Sequence, residues 1–321
     1  MSIFFFIKNI YDIIKIGDSL TKIDLKYKKI IANILFVICL IGLIFSSYQI
    51  VMWKIDSNKT NEQIKMLQEI IQTNVESNNS FMAEDILLSI TKLAIDSING
   101  IDDEQEDNNS NNDNVENDGS GSYNPYFDYM KLNYLYIDFS ELKNINPSVS
   151  GWIKLNGTNI NYPFVQAKDN KYYLTHSFDK SYNSAGWVFL DYRNKIKDDR
   201  HIILYAHGRV DTTMFGSLRN ALSTNWFKNK DNHLLKISTE SENSIWQVFS
   251  IYTIPTTSDY LTINFHSNAD FLNFTTMLKN RSIHKFDTEL TETDNIITLS
   301  TCYNKKEKLV LHAKLIKKEV R

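Results

Sequence analysis

From Ile30 to Met52 the chain reads IIANILFVICLIGLIFSSYQIVM, 23 residues without a charge. A helix rising 1.5 Å per residue would carry this run across about 34 Å, enough for a hydrocarbon core of about 30 Å. Lys26, Lys28 and Lys29 sit just before it and Lys8, Lys15 and Lys22 further back, whereas Lys54 is the one basic residue close behind. This bias puts residues 1–29 in the cytosol and everything after Trp53 outside. A cleaved signal peptide is the rival reading, but the run is long for one and no clear small-x-small site follows, so we read residues 30–53 as an uncleaved transmembrane anchor. Residues 3–16, IFFFIKNIYDIIKI, are too short and too interrupted to span; they read as an amphipathic helix on the inner membrane surface or as a disordered tail.

Beyond the anchor the period is helical. Ile64, Leu67, Ile70 and Ile71 fall at helix spacing, as do Ile86, Ile90, Leu93 and Ile95 approximately, which predicts a helical stalk over 54–100, a hairpin or a self-association helix being the variants. Residues 101–122 are rich in Asn, Asp and Glu with no Lys or Arg and cannot bury a core. They read as a flexible spacer, since a calcium loop would need the Gly and terminal Glu that are missing.

From Tyr123 the pattern changes again. YFDYMKLNYLY and FSELKNI carry helical signals. Eight short β-type runs follow: 151–155, 160–166, 185–191, 201–207, 233–238, 245–254, 295–301 and 308–317. One helical stretch, 269–283, interrupts them between the sixth and seventh. Many short strands in one domain predict a mainly β sandwich or barrel over 123–321.

Composition adds two constraints. The formal net charge of −3 gives no reason to expect nucleic acid as a partner. The two cysteines, Cys39 and Cys302, lie at membrane depth and near the far end of the chain, so a disulfide between them is not expected and Cys302 is a free thiol. A lone Cys is usually a small buried hydrophobe. Here it ends the run NIITLST, and His207 ends the run HIILYA, so a barrel can bring both to one rim. An imidazolium beside a thiol stabilises the thiolate and can then protonate a leaving amine. Spacing alone leaves open a buried Cys and an unrelated surface His. No His, Cys or carboxylate group shows zinc-ligand spacing, so we expect no metal.

The stretch ITLSTC (297–302) resembles the TLxTC signature of sortases. LYAHGRVDTTMFGSL (204–218) is similar to the histidine strand of that family and to a segment of its class B, as are 146–178 and AGWVFLDYRN (185–194). The resemblance covers about residues 125–318. It implies a closed sortase barrel of about eight strands with N-terminal helices and one helix between the sixth and seventh strands. It also implies transpeptidation without a cofactor: Cys302 attacks a C-terminal sorting signal of a secreted protein, a thioacyl enzyme forms, and an amine on a cell-wall precursor resolves it.

The family's catalytic Arg on the strand after the Cys is matched here by Lys308, which keeps the charge and loses the planar fork of donors. Arg209, two residues from His207, is a candidate replacement; Arg219 and Arg281 are less well placed. Asp191 is a candidate to orient His207, with a structural role at a strand end as the alternative. By analogy with class B, Asn170, Tyr173, Leu174, Tyr205, Ser300 and Thr301 are candidates to line the sorting-signal groove. His312, on the strand after Cys302, rivals His207 as base and reads as structural. The Arg-to-Lys departure also admits a degenerate, non-catalytic protein that binds sorting signals or scaffolds the secretion site. A cell-wall cysteine peptidase is disfavoured, because there the Cys precedes the His and opens a helix.

Overall fold

The computed structural model describes residues 25–99 and 132–321. The N-terminal tail to residue 24, with its amphipathic stretch, the acidic spacer 101–122 and the start of YFDYMKLNYLY lie outside the described residues. Helix α1 runs without interruption from Leu25 to Asn99. Among the described residues it is the helix long and apolar enough to cross a membrane. Most of its large apolar side chains between Ile30 and Ile55 stand exposed, Phe36 and Leu43 at 68% each, a surface that water disfavours and lipid tolerates.

The rest forms a second compact unit, and it begins at Asp56. The compact unit thus starts well before residue 123, where the sequence reading begins the β-rich part. The stretch read as a stalk packs onto the barrel at its membrane-proximal end: Leu67 is wholly buried, and Ile64 and Ile71 join the main core. Three residues one helical turn apart share a face, which is why a short stretch of α1 can dock.

Eight strands close into a barrel in the order β1-β2-β3-β4-β7-β8-β6-β5: β1 Val149–Leu155, β2 Asn161–Gln166, β3 Phe189–Leu190, β4 His201–Tyr205, β5 Leu234–Ser238, β6 Glu242–Pro255, β7 Ile296–Cys302 and β8 Glu307–Val320. Closure removes every sheet edge. Most pairs are antiparallel, but β2–β3 and β4–β7 are parallel. β7 is buried throughout until its last residue, Cys302, as expected of a strand covered on both faces.

Short helices decorate the barrel: α2 (Ser140–Ile145), α3 (Thr224–Lys228) and α4 (Asn268–Asn280). Ser267 caps α4 by accepting from Asp270 N at 3.1 Å, and Phe271, Thr275 and Leu278 form its buried stripe. That stripe packs with Phe249, Tyr252, Tyr260 and Val310 in a second core outside the main one.

Two expected elements differ. Residues 132–136 of YFDYMKLNYLY are not helical. Carbonyls of this segment and of Ile137 just after it are taken by side chains at the far end of the chain: Lys317 Nζ donates to Leu132 O at 3.1 Å and Arg321 to Ile137 O at 2.8 Å. The run 185–191 pairs as a strand only at Phe189–Leu190, because Gly186 takes a positive φ of 61° and Trp187 N turns to Tyr173 O at 2.9 Å.

Candidate active site

Strands β4 and β7 set the site. Their parallel register runs from His201↔Ile296 to Tyr205↔Ser300. Ala206 N donates to Ser300 O at 3.4 Å, and Thr301 Oγ1 donates to Ala206 O at 2.7 Å, so the alignment persists past the ladder. Carried on by one residue, it brings His207 level with Cys302. Gly208 then lies flat against the cysteine: a Cβ there would sit 2.1 Å from Cys302 O. Only glycine lets the two strand ends approach this closely.

The sulfur is exposed at the rim. Lys308 is its cross-strand partner in the β7–β8 ladder, and Lys308 Nζ lies 3.1 Å from Cys302 Sγ. The cation at the thiol is therefore Lys308. Arg209 is engaged elsewhere: its guanidinium bonds Asp211 (2.9 Å) and Thr213 Oγ1 (3.0 Å). Arg219 Nη2 donates to Tyr303 O at 2.8 Å, and Arg281 pairs with Asp259.

The imidazole of His207 places Nε2 2.8 Å from Leu174 O. A carbonyl only accepts, so Nε2 carries the hydrogen and Nδ1 is left to exchange a proton. Asp191 does not do this orienting. It is wholly buried, and although burial opposes its charge, the Arg193 fork (2.9 and 2.8 Å) and the Tyr205 hydroxyl (2.9 Å) hold its carboxyl below the usual range. Asp191 thus ties β3 to β4 beneath the site.

Of the groove candidates, Tyr173 proves to be core: it is buried and its hydroxyl accepts from Asn146 at 3.0 Å. Leu174 reaches the site through its carbonyl. Tyr205 and Ser300 turn their hydroxyls inward, the first to Asp191 and the second to Tyr260 at 3.0 Å. Thr301 is buried and fixes the strand ends as above. Asn170 accepts from Tyr192 N at 2.9 Å on the exposed flank. His312 is buried between Tyr252 (2.9 Å) and Thr298 (2.7 Å), away from the thiol.

Sequence reasoning missed Tyr260, whose wholly buried hydroxyl reaches Ser300, and Gly186, where a Cβ would meet Tyr173 O at 2.5 Å and His207 Cδ2 at 3.1 Å. Tyr260 lies in a stretch with no strand or helix period, and a lone Gly in a β-type run signalled only close approach of another backbone.

What such a rim can do chemically is acyl transfer: a thiol to attack, an imidazole to move the proton and an ammonium to face developing negative charge. Comparison with known proteins gives this class its family. A Sortase domain model matches residues 153–316. Sortase B of Staphylococcus aureus is 35% identical over 184 residues, covering 56% of this chain and 75% of that protein; sortase B of Listeria monocytogenes is 30% identical over 186 residues with the same shares. Among solved structures, Clostridium perfringens sortase B aligns with a TM-score of 0.54 at 32% identity, over 56% of this chain and all of that one. Bacillus anthracis sortase B in complex with AAEK2 aligns at 0.52 and 41% identity, over 56% and 82%. A Staphylococcus aureus sortase B–substrate complex aligns at 0.53 and 34% identity, over 56% and 84%. The chain belongs to the sortase family, whose members are cysteine transpeptidases, and the relatives it matches are of class B.

Proposed function

We propose that this chain is an active, membrane-anchored transpeptidase in which Cys302 is the nucleophile, His207 its proton partner and Lys308 the cation of the site. The carrying observation is the 3.1 Å approach of Lys308 Nζ to Cys302 Sγ on a rim where Gly208, the residue after His207, lies against Cys302 O. The Cys302 thiol passes its proton to His207 Nδ1 as the sulfur attacks a carbonyl in a C-terminal sorting signal of a secreted protein. The departing amine takes a proton from His207, and a thioacyl enzyme remains. A cell-wall amine then loses its proton to His207 and attacks the thioester, and the released sulfur takes that proton back from His207. The substrate-bound relative and a sortase B complexed with triglycine, a peptide with a free amine, support both halves of this cycle. In this reading residues 30–53 hold the enzyme in the membrane, and the lysine bias before them supports a catalytic part facing outward.

The test is transfer. Full-length protein in detergent is mixed with peptides of the Asn-Pro-x-Thr type and triglycine, and products are weighed. A ligated peptide that depends on Cys302 supports the proposal. A peptide that binds and is never cleaved favours the degenerate, signal-binding alternative instead.

A further inference from the structure

Two consecutive residues of α1, Asp56 and Ser57, reach the two segments that flank His207. Asp56 Oδ2 accepts from Ser184 N at 3.2 Å and from the Ser184 hydroxyl. One turn on, Thr60 Oγ1 accepts from Asn183 Nδ2 at 2.9 Å. Asn183 and Ser184 lead into Gly186, through Asn183 O, which accepts from Gly186 N at 3.0 Å. Gly186 in turn packs against Leu174 O, the acceptor that fixes the His207 ring, and against the ring itself.

The Ser57 hydroxyl donates to Asp211 on the other side. Asp211 also receives Arg209 and the Thr213 hydroxyl (2.6 Å). Burial opposes its ionisation, but the bonds from Arg209, Ser57 and Thr213 outweigh that and hold the carboxyl well below the usual carboxylate range. This knot closes the loop that leaves His207: Phe215 N returns to His207 O at 3.0 Å, and Gly208 bridges to Met214.

Asp56, Ser57 and Thr60 are all buried, so they are not a solvated helix face. Buried polar groups need their partners, and losing one strands the other. We infer that Asp56, Ser57 and Thr60 are positioning residues for His207: the first docked turn of α1 braces the carbonyl that orients the imidazole and the loop that follows it. The inference rests on the role proposed for His207. It makes the membrane-proximal helix part of the catalytic apparatus, three residues past the predicted end of the anchor.

Full-length protein in detergent micelles, labelled with 15N-histidine, provides the test. The His207 signal, assigned by its loss in His207→Gln, reports the tautomer without any turnover. Wild type is expected to show the Nε2–H form alone. Asp56→Ala/Ser57→Ala is expected to give an exchange-broadened or mixed-tautomer His207 signal and a kcat about tenfold lower, with KM nearly unchanged. Asp56→Asn/Ser57→Thr, which keeps an acceptor and a hydroxyl, is expected to restore both. Ser57→Ala alone, which deletes one oxygen, covers the case in which the double variant does not fold. A His207 signal and kcat identical to wild type in a folded Ser57→Ala or double alanine variant would overturn the inference. If wild type itself transfers no peptide, the proposed function fails, and the tautomer readout still decides the brace.

Discussion

Lys308 and Cys302 face each other across the β7–β8 ladder, with the ammonium nitrogen 3.1 Å from the sulfur. A single charge occupies the position that the family resemblance matches to a catalytic Arg. It can meet an oxyanion with one donor at a time, where a guanidinium would offer a planar pair. Lys308→Ala is expected to lower kcat/KM for acylation by about 10²–10³-fold, the usual cost of losing one oxyanion donor. Lys308→Arg is expected to stay within about tenfold of wild type. Single-turnover thiol acylation measures both. Wild-type rates in Lys308→Ala would remove Lys308 from the mechanism.

Gly208 is the packing counterpart of that pair. Its absent side chain lets the His207 segment lie on Cys302 O. Gly208→Ala must push backbone against backbone, and we expect a stability loss of about 1–3 kcal/mol, the usual range for overpacking. Urea unfolding of the variant checks the figure. An unchanged midpoint would mean that the strand ends separate freely.

Leu67 tests the docking of α1 independently of catalysis. It is wholly buried in the main core. Leu67→Ala is expected to cost about 2–5 kcal/mol. A fragment starting at residue 123 is expected to unfold at lower denaturant than one starting before Asp56. Equal midpoints would show that the helix adds nothing to the barrel.

A buried relay inside the barrel predicts a pH dependence. Thr262 O accepts from His201 Nδ1 (2.6 Å), and His201 Nε2 accepts from the Thr298 hydroxyl (2.6 Å). Thr298 Oγ1 accepts from His312 Nδ1 (2.7 Å), and His312 Nε2 accepts from Tyr252 (2.9 Å). With both rings neutral every link of this chain is satisfied. Burial, chiefly, lowers His201 to about 4 and puts His312 well below its ordinary value. The unfolded chain therefore binds more protons between pH 6.5 and 4, and stability is full above pH 6.5 and falls as pH drops toward 4. From His201 alone we expect a loss of about 2 kcal/mol between about pH 7.5 and pH 5. His201→Gln should flatten that slope; an unchanged slope would contradict the relay.

Much of this was legible in the chain. All eight strands were marked by β-type runs, and α4 by its helical period, because each buries apolar side chains at a regular spacing. Cys302 and His207 were proposed from strand ends, which locate rim residues, and Lys308 from the family resemblance. The docked turn of α1 was not: Asp56, Ser57, Thr60 and Gln63 are polar, and hydrophobic periodicity counts them as solvent-facing although they are buried. Arg209 was read by its nearness in sequence to His207 and Asp191 by its place in FLDYRN at a strand end, whereas their partners are set by charge pairing two residues away, Asp211 for the first and Arg193 for the second. Tyr173 was placed in the groove by analogy with class B, but Asn146 satisfies its hydroxyl inside the core.

The most direct test of the central claim is mass spectrometry of the full-length protein after brief exposure to a panel of sorting-signal peptides without an amine. An acyl adduct on Cys302 is expected in wild type, absent in Cys302→Ala and not formed in His207→Ala, with hydroxylamine releasing it as a thioester should. A folded protein that binds a peptide from the panel and never carries an adduct on Cys302 would contradict the account.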